Sequence, residues 1–118
     1  PHLAWDHLPW RAKPLTLIEE NSTQGVVHLN LYNIDPATLE ISQLSSGASF
    51  PSGSLGSNGF GVSGWTGVCN SAVDDNYTFK LYALKSDLPG SISNMSSSDF
   101  ESTYDAYIVD VSTLTVKF

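Results

Sequence analysis

The chain has 118 residues, 41% of them hydrophobic and 14% charged, enough apolar material for one packed core and a composition unlike that of a disordered chain. Five Lys and Arg against twelve Asp and Glu leave a formal net charge of −7, which argues against long-range attraction to nucleic acid or to an anionic membrane. The lone cysteine, Cys69, excludes an internal disulfide framework and a CxxC metal knuckle, and no apolar run is long enough for a membrane-spanning helix.

In chain order, LTLIEE (Leu15 to Glu20) reads as a short strand. GVVHLNLYNI (Gly25 to Ile34) alternates well, with Val27, Leu29 and Leu31 on one face and His28, Asn30 and Tyr32 on the other. From Ser42 to Ser63 the chain is Ser- and Gly-rich with little apolar pattern, which predicts an irregular surface segment. It contains no Walker phosphate loop, and Gly61-Val-Ser-Gly64 falls short of the G-x-S-x-G nucleophile elbow. YTFKLYAL (Tyr77 to Leu84) is a second alternating strand, with Tyr77, Phe79, Leu81 and Ala83 on one face. Ser98-Asp-Phe-Glu101 has the form of a capping box and predicts one short helix with Phe100 and Tyr104 a turn apart. Ala106 to Val111 and Thr113 to Phe118 read as two further strands. Short strands separated by turns predict a mainly β single domain, a two-sheet β-sandwich with one or two short peripheral helices.

Little in this pattern suggests catalysis. Cys69 sits among Asn70, Ser71, Asp74 and Asp75, surroundings that disfavour a thiolate, so it reads as a small buried hydrophobe. No nucleophile, base and oxyanion arrangement can be assembled, and the expectation is no enzyme and no cofactor. Glu19 and Glu20 end a strand, and alternation sends their side chains to opposite faces. Asp74 and Asp75 precede a strand, where Asp commonly caps a turn. Trp5, Trp10, Phe100 and Tyr104 read as packing residues, while His2 and His7 add no pattern. High Ser, Thr and Asn content with few basic residues leans towards an extracytoplasmic protein. Asn21-Ser-Thr, Asn76-Tyr-Thr and Asn94-Met-Ser fit the glycosylation sequon.

The order of motifs resembles the phosphatidylethanolamine-binding protein family, particularly its bacterial and archaeal branch, often called Raf-kinase-inhibitor-like. Pro1-His-Leu-Ala-Trp5 fits P-x-L-x-W; VVHLNLYNI with Pro36 after it, NGFGVSGWTGVC and YTFKLYAL follow in the family's order. The resemblance implies a β-sandwich with a small surface pocket for anions such as phosphate or phosphoryl head groups. It also implies a ligand-binding or regulatory role, in some members inhibition of kinases or proteases, without a general enzymatic activity. His28 falls where the family's pocket histidine belongs, Tyr77 on the tyrosine of H-R-Y, and Glu20 on the first aspartate of D-P-D-A-P. The rest of that acidic turn is replaced by Asn21, Ser22 and Thr23. Asp75 replaces the histidine of H-R-Y, and Asn76 its arginine. Trp65 replaces a loop tyrosine, and Cys69 matches while its flanking prolines do not. The family also has a segment before P-x-L-x-W, which residues 1–118 lack.

The resemblance thus implies a pocket lined by Glu20, His28, Asp75, Tyr77 and Trp65, with His28 and Tyr77 on adjacent strands and facing the same side. Two carboxylates against at most one positive charge would make it a poor phosphate site. One imidazole and two carboxylates could serve a metal, but the spacing is not tight and no metal is expected. The partners expected are a small-molecule ligand or a protein, with no nucleic acid and no membrane span. The alternative to ligand binding is an interaction or inhibitor protein that has kept the scaffold and lost the pocket.

Overall fold

The computed structural model describes residues 3–4, 14–36, 40–41, 52–64, 66 and 75–117. Seven strands and one α-helix occur among them: β1 Leu3–Ala4, β2 Leu15–Asn21, β3 Val26–Ile34, β4 Glu40–Ile41, β5 Ser54–Leu55, β6 Asn76–Leu84, α1 Ser97–Tyr104 and β7 Ile108–Lys117. Five strands form an antiparallel sheet in the order β5-β3-β2-β6-β7, and β1 pairs with β4. The fold is therefore mainly β, and among the described residues it has a five-stranded sheet, a two-stranded pair and one short α-helix. Among the described residues no helix is long and apolar enough to cross a membrane.

Alternation in β2 and β6 builds a core on each face of the sheet. Leu15, Leu17, Leu29, Leu31, Ile34, Tyr77, Phe79 and Ala83 form one buried cluster. Ile18, Tyr32, Tyr82 and Leu84 form the other, joined by Leu88, Ile92 and Phe100 from beyond β6. The register couples them directly: Leu17 is opposite Leu81, Glu19 opposite Phe79 and Asn21 opposite Tyr77 on one face, while Ile18 is opposite Lys80 and Glu20 opposite Thr78 on the other.

Two irregularities interrupt the pairing of β3 with β2. Glu19 and Glu20 are neighbours in β2, yet their partners are Leu29 and Val27, so His28 is an extra residue without a counterpart, a β-bulge. A second register shift lies between the partners of Leu15 and Leu17, where Asn33 takes φ 54° and its side chain accepts a hydrogen bond from Leu88 N at 3.0 Å.

The helix begins two residues before the sequence expectation. Ser96, not Ser98, is the N-cap, and its hydroxyl accepts from Asp99 N at 3.1 Å. Glu101 is thereby freed from capping. It pairs with Lys80 Nζ at 2.8 Å and accepts the Tyr82 hydroxyl at 2.7 Å, clamping α1 to β6. The two expected final strands are one, β7, preceded by a 3-10 turn at Asp105–Tyr107 and kinked near its start by a register shift opposite Ala83 and Leu84. Within the Ser- and Gly-rich stretch, the described part also departs from expectation. β5 pairs with β3, Ser57 bridges Ser63, and Gly56 lies so close to Ile92 that an added Cβ would fall 1.8 Å from its carbonyl oxygen.

Candidate functional site

The hairpin between β2 and β3 supplies one wall of a pocket. Asn21 ends β2, and its Oδ1 accepts from Thr23 N and Gln24 N, both at 3.0 Å, folding the turn back on itself. Gly25, at φ 74°, closes the turn by donating from its N–H to Asn21 O at 2.7 Å. The turn leaves the Asn21 amide and the Gln24 amide pointing at one acceptor: Asp75 Oδ2 receives Asn21 Nδ2 at 2.9 Å and Gln24 Nε2 at 3.0 Å. Asp75 is 5% exposed, and these two amides offset part of its lost hydration.

The bulge supplies the second wall. Its extra residue lets His28 share a face with Leu29 and Leu31 instead of opposing them. The imidazole stands edge-on to Tyr77, with ring centroids 5.1 Å apart and planes at 77°. Its Nδ1 lies 2.6 Å from Thr66 O. Phe60 makes a second edge-type contact with the ring, at 5.1 Å and 74°. Asn21, Gln24, Val26, His28, Phe60, Asp75 and Tyr77 enclose a pocket of about 120 Å³, room for a head group of a few heavy atoms.

A third element holds this wall in place. Asn58 is 2% exposed and acts as the hub of the 58–66 loop. Its Nδ2 donates to Thr66 Oγ1 at 2.7 Å and to His28 O and Gly64 O at 3.3 Å. Its Oδ1 accepts from Phe60 N at 2.9 Å and Val62 N at 3.2 Å. One side chain thus fixes both Phe60 and the Thr66 carbonyl that orients His28.

Of the residues expected in the pocket, His28, Asp75 and Tyr77 come together. Glu20 does not join them: it projects from the opposite face of β2, where its carboxylate accepts hydrogen bonds from Ser97 N, at 3.2 Å, and from Ser97 Oγ. Asn21, one residue on, takes the pocket position because odd-numbered β2 residues share the face of Tyr77. His28 and Tyr77 face the same side but are not on adjacent strands, since β2 lies between β3 and β6. Trp65, Cys69, Asp74 and the N-terminal His and Trp residues lie outside the described residues. Asn21, Gln24, Phe60 and Asn58 are the additions. The Asn-x-x-Gln-Gly turn and the NGFG stretch signalled turns, but their convergence depends on strand order. No group of three or more potential metal ligands occurs among the described residues.

On the second face, Tyr82 is held in its protonated form well above the ordinary tyrosine range. Burial is the main cause, reinforced by its hydrogen bond to Glu101 and the negative charges of Glu101 and Glu20. Glu101 is lowered, chiefly by its hydrogen bonds from Lys80 and Tyr82.

The model of the family described as phosphatidylethanolamine-binding protein matches residues 1–118. The chain belongs to the phosphatidylethanolamine-binding protein family. A relative from Methanothermobacter thermautotrophicus, named UPF0098 protein, is 33% identical over 89 residues, covering 71% of this chain and 59% of its own length. The chain matches only that fraction of this curated relative. Two solved structures carry the family fold across the whole chain. One is a putative phosphatidylethanolamine-binding protein homologue from Chlamydia trachomatis, with a TM-score of 0.78, 23% identity and 79% of that chain covered. The other is YbcL of Escherichia coli, described as a new member of the mammalian family, with a TM-score of 0.77, 23% identity and 78% covered. At that identity the likeness speaks for the fold of this family member and leaves its pocket chemistry to its own residues.

Proposed function

We propose that this protein is a small-ligand-binding module with a regulatory role, built on a two-sheet sandwich, whose pocket takes a neutral or cationic head group in preference to phosphate. The buried clusters on both faces of the five-stranded sheet fit a sheet covered on each side, as a sandwich requires.

The observation that carries the ligand preference is the Asp75 carboxylate. It is buried at the pocket wall and held by two amides, and among the described lining residues there is no Lys or Arg to balance it. A phosphate oxygen roughly 5 Å from this carboxylate would meet about 3 kcal/mol of repulsion per unit charge at an effective dielectric of about 20, added to the phosphate's own desolvation. With Glu20 on the far face, one carboxylate rather than two sets this preference. Calorimetry at neutral pH with phosphate, phosphoethanolamine and ethanolamine tests it, alongside Asp75→His. The expected order places ethanolamine first, with phosphate binding gained in the variant. Tight phosphate binding by the unmodified protein, with no gain in Asp75→His, would refute the reading.

Phe60 and Val62 support a second reading. They are 45% and 44% exposed, with Phe60 itself in the pocket wall, an apolar pair that an interaction or inhibitor protein would present to a partner. On that reading Phe60→Ser abolishes partner inhibition while the ligand series shows no binding at all.

A further inference from the structure

The hub of the 58–66 loop is built on the dipeptide most prone to spontaneous deamidation. Of the asparagines in the chain, only Asn58 precedes a glycine. With no Cβ on the following residue, little hinders the Gly59 backbone nitrogen from reaching the Asn58 side-chain carbonyl carbon. The structure requires both residues all the same. Position 58 needs an amide, because Nδ2 donates to Thr66 Oγ1, His28 O and Gly64 O while Oδ1 accepts from Phe60 N and Val62 N. A carboxylate lacks the donor and a hydrocarbon lacks both roles. Position 59 needs glycine, because an added Cβ would lie 3.1 Å from Val26 Cγ1 and Val27 O, and 3.3 Å from Asn94 Oδ1.

The closed loop restrains the pair it contains. Attack on Asn58 Cγ requires the Gly59 nitrogen to give up its proton and turn towards the side chain. That N–H donates to Val27 O at 2.8 Å, and Cγ is anchored through the hydrogen bonds at both ends of its amide. Asn58 is also 2% exposed, which keeps water and base from the reacting atoms.

We infer that Asn58-Gly59 is a deamidation site, protected while the 58–66 loop is closed and exposed when it opens. In the step, Gly59 N bonds to Asn58 Cγ, the Cγ–Nδ2 bond breaks, and ammonia leaves with the Gly59 amide proton. Water then opens the succinimide and leaves a carboxylate, in an aspartyl or isoaspartyl residue at position 58. Neither product restores the hub. An oxygen then faces His28 O and Gly64 O where the amide donated, and those acceptors are left unsatisfied. The isoaspartyl form also lengthens the main chain beside Gly59, where the contacts with Val26 and Val27 leave no slack. Opening of the wall that carries Phe60 and orients His28 is thereby made irreversible, whatever the pocket binds.

The test follows deamidation of the whole chain by peptide mapping, at mildly alkaline pH, with and without unfolding concentrations of urea. Conversion at Asn58 should be at least about tenfold slower in the native protein, because only the open fraction reacts. In urea it should outpace conversion at Asn70, which precedes serine. Thr66→Ala removes the acceptor of the shortest hub bond, 2.7 Å, without touching the dipeptide. It should speed native conversion and leave the rate in urea unchanged. Converted molecules, separated from unconverted ones in the same aged native sample by their added negative charge, should exchange the Phe60 and Val62 amides faster. Equal rates with and without urea would overturn the protection, and slower conversion at Asn58 than at Asn70 in urea would overturn the site. Unchanged native conversion in Thr66→Ala would overturn control by the loop. Full amide protection in the converted molecules would overturn the irreversible opening.

Discussion

Asn58→Ala removes the side chain that ties the 58–66 loop to β3, and its cost can be worked from the contacts. Two of the five hydrogen bonds are short, to Thr66 Oγ1 at 2.7 Å and from Phe60 N at 2.9 Å; each contributes about 1 kcal/mol. The remaining three, at 3.2 to 3.3 Å, contribute roughly half as much each. The sum of about 3.5 kcal/mol is reduced by rebonding. Phe60 and Val62 are exposed, so water reaches their N–H groups, and His28 O keeps its bond from Thr66 N at 3.2 Å. A loss of roughly 2–3 kcal/mol is expected, a large part of the ~5–15 kcal/mol of a typical domain. Urea unfolding should show a lower midpoint with an unchanged slope. Amide exchange should accelerate at Phe60 and Val62 while Leu29 and Phe79 stay protected. Asn58→Asp, which keeps the acceptor but turns a second oxygen towards two carbonyls, should be at least as damaging. A loss below about 0.5 kcal/mol with loop protection intact would refute the role assigned to Asn58.

Thr16 Oγ1 is buried without a partner, so Thr16→Val should be neutral or stabilising by up to about 1 kcal/mol; a loss above about 1 kcal/mol in chemical denaturation would show that the hydroxyl is satisfied. Tyr82 is raised above the ordinary value of 10.0, so its stabilising contribution is fully present below pH 10.0 and is lost as the pH rises through its folded pKa. Ultraviolet titration should accordingly show Tyr82 still un-ionised above pH 10.0 for as long as the fold persists. Tyr82→Phe should remove that un-ionised tyrosine and flatten the alkaline loss of stability; an unchanged alkaline slope would count against it.

The strands that organise the sheet are legible because β2, β3 and β6 alternate cleanly, and period-2 patterning survives whatever the neighbours are. What alternation cannot reveal is where it breaks. Assigning His28 to the face of Asn30 and Tyr32 is correct arithmetic for a regular strand, and the bulge overturns it. Glu20 matches an acidic motif by position, whereas its face is decided by pairing with β6, which makes Asn21 the pocket residue. The helix start is displaced because Ser96, Ser97 and Ser98 are all acceptable caps; Ser96 allows Phe100 to reach the core and Glu101 to meet Lys80 and Tyr82. β5 is two residues long and carries no periodic signal of its own; β3 supplies its partners.

The bulge at His28 also makes the pocket separable from the scaffold. Glu19 and Glu20 already pair with Leu29 and Val27 as though nothing lay between them, so a chain shortened by that one residue would keep the same ladder, with Val27 and Leu29 in regular alternation. The histidine is thus an insertion carried by a sheet that does not need it. A single codon, in or out, would add or remove the imidazole at this wall while the pairing of β2 with β3 on either side stays the same. Point substitution at position 28 offers no such clean step, because any replacement must still fill the looped-out place between Phe60 and Tyr77.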